Sequence, residues 1–230
     1  MIRIDLSEAI THAAPDLHVL AIECAVRNSE PDAALWKEIL AEEEGIRQGV
    51  KMEEINKWSP IAATRTAYKS LGKEPNRYRP SAESLRRRVV KGLSLYKIDT
   101  LVDLINLVSL HTGYSIGGFD RDKIEGGELV LGVGKEGELY HGIGRGELNI
   151  AGLPVYRDAV GGIGTPTSDE ERTKIGLETS RLLMIINGYS GLEGLKEAGE
   201  YSLALLRKYV HVEEAEVELV TKENRKIIHI

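Results

Sequence analysis

The sequence predicts an α+β domain. Capped, apolar-periodic helical segments cluster early, short glycine-punctuated β segments cluster late, and no regular βαβα alternation connects them. The 230 residues can bury a substantial core, and 42% hydrophobic with 29% charged residues is the balance of a globular chain.

Residues 18–27, HVLAIECAVR, read as an early strand. Pro31, followed by apolar Ala34, Leu35, Ile39 and Leu40, predicts a helix running into the polar stretch before Gly49. A second helix is expected over residues 58–70. Gly72, Pro75 and Pro80 bracket an irregular loop, with Ser81 as N-cap of the next helix, Glu83 in its first turn and Gly92 as its stop. Thr100-Leu101-Val102-Asp103 has capping-box character and opens a periodic stretch through Leu104, Leu107 and Val108 to Gly113. From Tyr114 to about Leu177 the pieces ELVLGV, GELY, GELNI and PVYRDAV predict a compact multi-stranded section. RLLMIIN is a further strand, residues 192–209 a helix burying Leu195, Leu203, Leu206 and Tyr209, and EVELV and KIIHI two terminal strands. With no repeat and no clear linker, one domain is expected: a helical N-terminal part to about residue 98, a core over about 99–190, and a C-terminal helix and strands over 191–230.

The start, MIRIDLSEAI, carries Asp5 and Glu8 where an export signal has a basic patch, and the apolar runs near 101–110 and 181–186 are too short or broken to span a bilayer. A cytoplasmic location with no membrane contact is the expectation. Cys24 is the single cysteine, which excludes an internal disulfide and a thiolate metal cluster. The net charge of −6 argues against a surface built wholly for nucleic acid, yet Lys69 to Lys97 holds nine Lys and Arg against two Glu. That segment is either a local phosphate-binding patch or a solvated helix face, and Arg86, Arg87 and Arg88 would point in three directions on a helix.

Gly132 to Gly137 matches the spacing G-x-G-x-x-G, but no helix follows to hold a pyrophosphate, so a β-turn is expected. The histidines make no metal-binding spacing and no nucleophile elbow is present, so neither metal nor cofactor is expected.

Val102-Asp103, Asn106 and Val108, then Gly113, then Gly118-Phe119-Asp120-Arg121-Asp122-Lys123 and Gly126 follow the order VD, N, V, G, FD-x-DK-x-x-G. This resembles the signature of the B3/B4 domain of the phenylalanyl-tRNA synthetase beta subunit. Gly137-Glu138, Asp158 to Gly162, Asn76 to Leu85 and the polar run Thr165 to Thr179 extend the resemblance over about residues 55–190. It implies a three-layer α+β fold containing a β-sandwich, and a function in amino-acid editing, the hydrolysis of wrongly charged tRNA. A free-standing protein of this kind would act in trans on the acceptor end of tRNA or aminoacyl-tRNA. Two positions depart from the synthetase pattern, His111 standing where it has glutamate and Gly117 where it has a pocket histidine.

Ester hydrolysis needs a positioned water, donors for the developing oxyanion and a fitting pocket, with no obligatory nucleophilic side chain. The candidate catalytic residues are Glu138 and His141 from the GE turn, Asp158, and Thr173 from the polar loop. Candidate substrate contacts are Arg65, Tyr68, Asn76, Arg79, Ser81, Asn106, Gly118, Asp120, Gly162, Thr165, Asp169 and Arg172. Each has a structural alternative, as a helix cap, turn or ion-pair member. Three functions stay open: a deacylase of misacylated tRNA, a non-catalytic module binding RNA or an amino acid, and a structural subunit of an assembly.

Overall fold

A computed structural model describes residues 1–230. The chain begins with strand β1 (Arg3–Leu6) and a short helix α1 (Glu8–Ala13), neither of them among the elements expected from the sequence. Both carry local signals: Ile2 and Ile4 alternate with Arg3 and Asp5, and the Ser7 side chain accepts a hydrogen bond from the Ile10 N–H as N-cap. Strand β2 (His18–Ala25) and helices α2 (Ala33–Gly49), α3 (Ser59–Ser70) and α4 (Ser81–Val90) fall where the patterns place them.

Two helix starts differ in detail. Pro80, not Ser81, caps α4, so the Ser81 hydroxyl is left unengaged at the first helical position. The cap of α5 (Thr100–Thr112) is Asp99, which accepts from the Val102 N–H. Asp103 is buried instead and accepts from the Trp36 indole at 2.6 Å and the Ile98 N–H at 3.0 Å, tying α5 to α2.

The remaining elements are β3 (Ile116–Asp120), β4 (Glu128–Val133), a small hairpin β5 (His141–Gly142) and β6 (Gly146–Glu147), β7 (Pro154–Arg157), β8 (Gly162–Gly164), β9 (Arg181–Gly188), α6 (Leu195–Val210), β10 (Ala215–Val220) and β11 (Arg225–Ile227). Gly132 to Gly137 ends β4 and turns without opening a helix. A side chain at Gly134 would lie 2.0 Å from the Ile150 carbonyl oxygen, a close backbone approach that requires glycine.

An antiparallel five-stranded sheet runs β11-β10-β2-β9-β3, and a four-stranded sheet runs β1-β4-β7-β8 with β1 parallel to β4. The period-2 alternation of the central strands sorts their residues into two cores. Leu20, Ile22, Leu182, Met184 and Ile186 pack against α2, α5 and α6, whereas Val19, Ala21, Leu183 and Ile185 face Ile4, Leu129, Leu131 and Ile163 of the smaller sheet. The result is three layers, helices on a sheet on a sheet, the last two forming a β-sandwich. The segment before residue 99 is thus not purely helical, because β1 edges the smaller sheet and β2 lies inside the larger.

Candidate functional site

Where α5 meets edge strand β3, a cleft opens between the helical layer and the polar loop after β8. Its larger chamber, about 280 Å³, is lined by Val102, Ile105, Ile116, Ile143 and Ile175, together with Asn106, Gly118, Asp169 and Lys174. A smaller chamber of about 130 Å³ adjoins it and shares Ile105, Asn106, Ile116 and Asp169, adding Ser81, Ser109, Thr165 and Ser168.

The local folding reason for the cleft is the glycine pair of β3. A side chain on Gly118 would meet the Ile105 and Ile175 side chains at 2.6 and 3.0 Å, closing the larger chamber. Gly117 faces the other side, where the buried Phe119 ring fills the space: an added Cβ would sit 2.7 Å from it. The position where the resemblance expects a histidine is therefore occupied by a neighbouring aromatic ring.

The polar groups of the cleft divide by whether the protein already uses them. Thr165 is spent, since its hydroxyl donates to the Ser168 carbonyl and accepts from the Thr167 and Ser168 N–H groups. Ser109 donates to the Tyr114 carbonyl at 2.7 Å. In contrast, the Asn106 amide and the Ser81 hydroxyl, both half-buried, make no hydrogen bond within the chain. Asp169 accepts one, from the Gly118 N–H at 3.2 Å, and has no cationic partner. Burial pushes its carboxyl up to about 8, against the weaker opposing effect of the Gly118 hydrogen bond.

Of the residues singled out from sequence, Ser81, Asn106, Gly118, Thr165 and Asp169 come together in this cleft. A second group stands behind it. Buried Arg65 donates to Glu83 at 2.8 Å and to Asn76 at 2.7 Å, and Arg79 approaches Glu83 at 3.9 Å. Tyr68 hydrogen-bonds Thr167 at 2.9 Å, bracing the loop that carries Asp169.

The others are elsewhere. Glu138 pairs with Arg157 at 2.6 Å, and that hydrogen bond, with smaller help from the Lys135 N–H, holds its carboxyl below the usual range. His141 is exposed on the β5–β6 hairpin, whose Ile143 forms one side of the cleft. Asp158 is bound by Arg172 and by the N–H groups of Glu125, Val160 and Gly161. Burial pushes its carboxyl up, but these contacts outweigh it and hold it low. Thr173 is fully buried with its hydroxyl unpartnered. Asp120 accepts from Thr179 and from the Asp122 N–H, and Gly162 packs under Tyr140.

Sequence reasoning missed Ser109 and the isoleucine walls. Ser109 was accessible, because it lies three residues beyond Asn106 on the same helical face.

Four of the nine cations of the basic segment are engaged inside the fold, and Lys69, Arg77, Arg79, Lys91 and Lys97 are exposed. Lys73 donates to the Asn149 and Ala151 carbonyls, and Arg86 is buried over the Trp58 ring, bonded to the Leu110 carbonyl. Arg87 bonds Glu83, and Arg88 bonds the Ser94 carbonyl and stacks on Tyr96. No helix is long and apolar enough to cross a membrane, and no three His, Cys, Asp or Glu side chains converge as a metal site would require.

Fold and cleft define the class: an α+β sandwich domain with a cleft at the junction of a helix and an edge strand. The chain belongs to the B3/4 domain family, whose profile matches residues 63–221. It is similar in fold to an N-terminal fragment of the phenylalanyl-tRNA synthetase beta-subunit from Pyrococcus horikoshii, with a TM-score of 0.55 and 15% sequence identity. That similarity covers 99% of this chain and 54% of the fragment, so the chain spans about half the length of its structural relative. No curated protein sequence matches the chain.

Proposed function

We propose that the cleft receives the aminoacyl end of a misacylated tRNA and that the protein hydrolyses the ester in trans. The observation that carries this reading is the pairing of an apolar chamber with the unsatisfied Asn106 amide on α5, which bears the family signature, and the unsatisfied Ser81 hydroxyl of α4 in the adjoining chamber. In the reaction a water attacks the ester carbonyl, the Asn106 amide and Ser81 hydroxyl donate to the developing oxyanion, and the ester C–O bond breaks. The leaving 3′ or 2′ oxygen takes up a proton, giving tRNA and a free amino acid.

The test is deacylation of a panel of aminoacyl-tRNAs above the spontaneous rate. Asn106→Ala is expected to lower the rate constant by roughly 100-fold, the usual effect of removing one oxyanion donor. An unchanged rate in that variant, or no acceleration with any aminoacyl-tRNA, overturns the hydrolytic reading. A second reading, a non-catalytic module holding an aminoacyl group or RNA, draws support from Glu138 and Asp158 being locked in ion pairs away from the cleft. Salt-sensitive binding without deacylation would favour it.

A further inference from the structure

Asp169 stands where the two chambers meet and lines both of them. Its backbone is fixed from two sides. The Asp169 carbonyl accepts from the Ile143 N–H at 3.0 Å, and Asp169 bridges Gly164 of β8. The side chain therefore has a defined place, yet a single backbone N–H is all that the chain offers to its two oxygens.

The one cation lining the cleft, Lys174, is committed to Glu171 at 2.6 Å. The surroundings supply no other charge of the right sign. On α5 the facing groups are Asn106 and Ser109, and on α4 Ser81; β3 offers glycine backbone, and the hairpin offers Ile143. The nearest titratable groups packed behind the loop are the phenols of Tyr140 and Tyr156, both pushed up by burial and so neutral, and Glu170 is the adjacent acid in sequence. A carboxyl held beside the Gly117 and Gly164 backbone, with one N–H donor and no cation, is costly to ionise, and a cationic ligand relieves that cost.

We propose that Asp169 is the specificity-determining residue of the cleft, holding the ammonium group of an aminoacyl ligand whose apolar side chain fills the isoleucine-lined chamber. The ligand class rests on the function proposed above; the ammonium contact and the apolar selection are additional. Hydroxyl-bearing side chains are disfavoured, because a hydroxyl buried against Ile105, Ile116, Ile143 and Ile175 loses its water partners. Burial keeps the Asp169 carboxyl largely protonated near neutrality, so a ligand ammonium that pairs with it displaces that proton to solvent.

The test is titration calorimetry of the full chain at pH 6.5, in two buffers of different ionisation enthalpy. The probes are L-isoleucinamide, L-serinamide and N-acetyl-L-isoleucinamide. L-isoleucinamide should bind with release of close to one proton, L-serinamide should bind more weakly, and the acetylated probe should lose at least tenfold in affinity. Asp169→Asn should weaken L-isoleucinamide at least tenfold and abolish the proton release. Equal binding of the acetylated and free-amine probes, proton release unchanged in Asp169→Asn, or no binding of L-isoleucinamide overturns the inference. The acetylated probe decides the matter even where the variant fails to fold. Amine-dependent binding without any tRNA deacylation would refute the hydrolytic function and leave the ammonium site standing. Deacylation combined with amine-independent binding would do the reverse.

Discussion

Asp169 gives the chain a pH signature that needs no ligand. Its carboxyl titrates near 8 in the folded state and near 3.8 as a free side chain, so the folded state binds the extra proton between those values. A raised acid of this kind supports the fold fully below the lower value, and that support is lost as pH rises towards the upper one. Relative to Asp169→Asn, which carries no titratable proton, the wild-type chain is expected to lose up to about 1.4 kcal/mol per pH unit across this window. Urea denaturation of both proteins at pH 5 and pH 7 measures the difference, and parallel behaviour at the two pH values would contradict it. At this scale the sequence showed which residues were polar and near the signature, but not which of them the fold had already used. Thr165 and Asn106 looked equivalent in sequence. Only the turn that saturates Thr165 and the open chamber beside Asn106 separate them.

Among the elements, α4 shows how the helical layer is held over the cleft. Glu83 is fully buried on α4 and receives Arg65 from α3 and Arg87 from its own next turn, at 2.8 and 2.7 Å. Removing one member leaves buried charges uncompensated, so Glu83→Ala is expected to destabilise the chain by about 3 kcal/mol. Because Ser81 lies two residues earlier on the same helix, ligand affinity should fall with stability, whereas an exposed change such as Lys91→Ala should move neither. Chemical denaturation together with probe binding checks both. Helices were legible in outline because the 3.6-residue period and the glycine stops are local signals. Their first residues were less so, since Pro80 and Asp99 displaced the expected caps by one position each. Strand β1 escaped because its four residues gain meaning from the parallel pairing with β4, a contact more than 120 residues away in the chain.

Across the whole molecule, the N-terminal segment binds the layers together. Strand β2 lies between β10 and β9, β1 edges the other sheet, and the two meet the sandwich core through Ile4, Val19 and Ala21. The resemblance to a known family made the three layers foreseeable, but not that the first 25 residues thread both sheets, since pairing partners come from remote parts of the chain. This threading leads us to propose that residues 1–230 form one cooperative unit. If so, the most protected amides of β4 and β7, in the sandwich, and those of α2 and α5, in the helical layer, should exchange at a common global free energy. A lower limit for the helical layer by about 2 kcal/mol or more would mean separable units. Deleting residues 1–14 provides the complementary measurement. It removes β1 and uncovers the edge of β4, and with it Ile2, Ile4 and Ile10 from the second core, all at most 2% exposed. Each large apolar side chain lost from a core costs about 2–5 kcal/mol, and the sum approaches the whole stability of an ordinary domain. The truncated chain should therefore lose its sharp urea transition in both layers together. Retention of a cooperative helical layer in the truncated chain would show that the sandwich is an independent appendage.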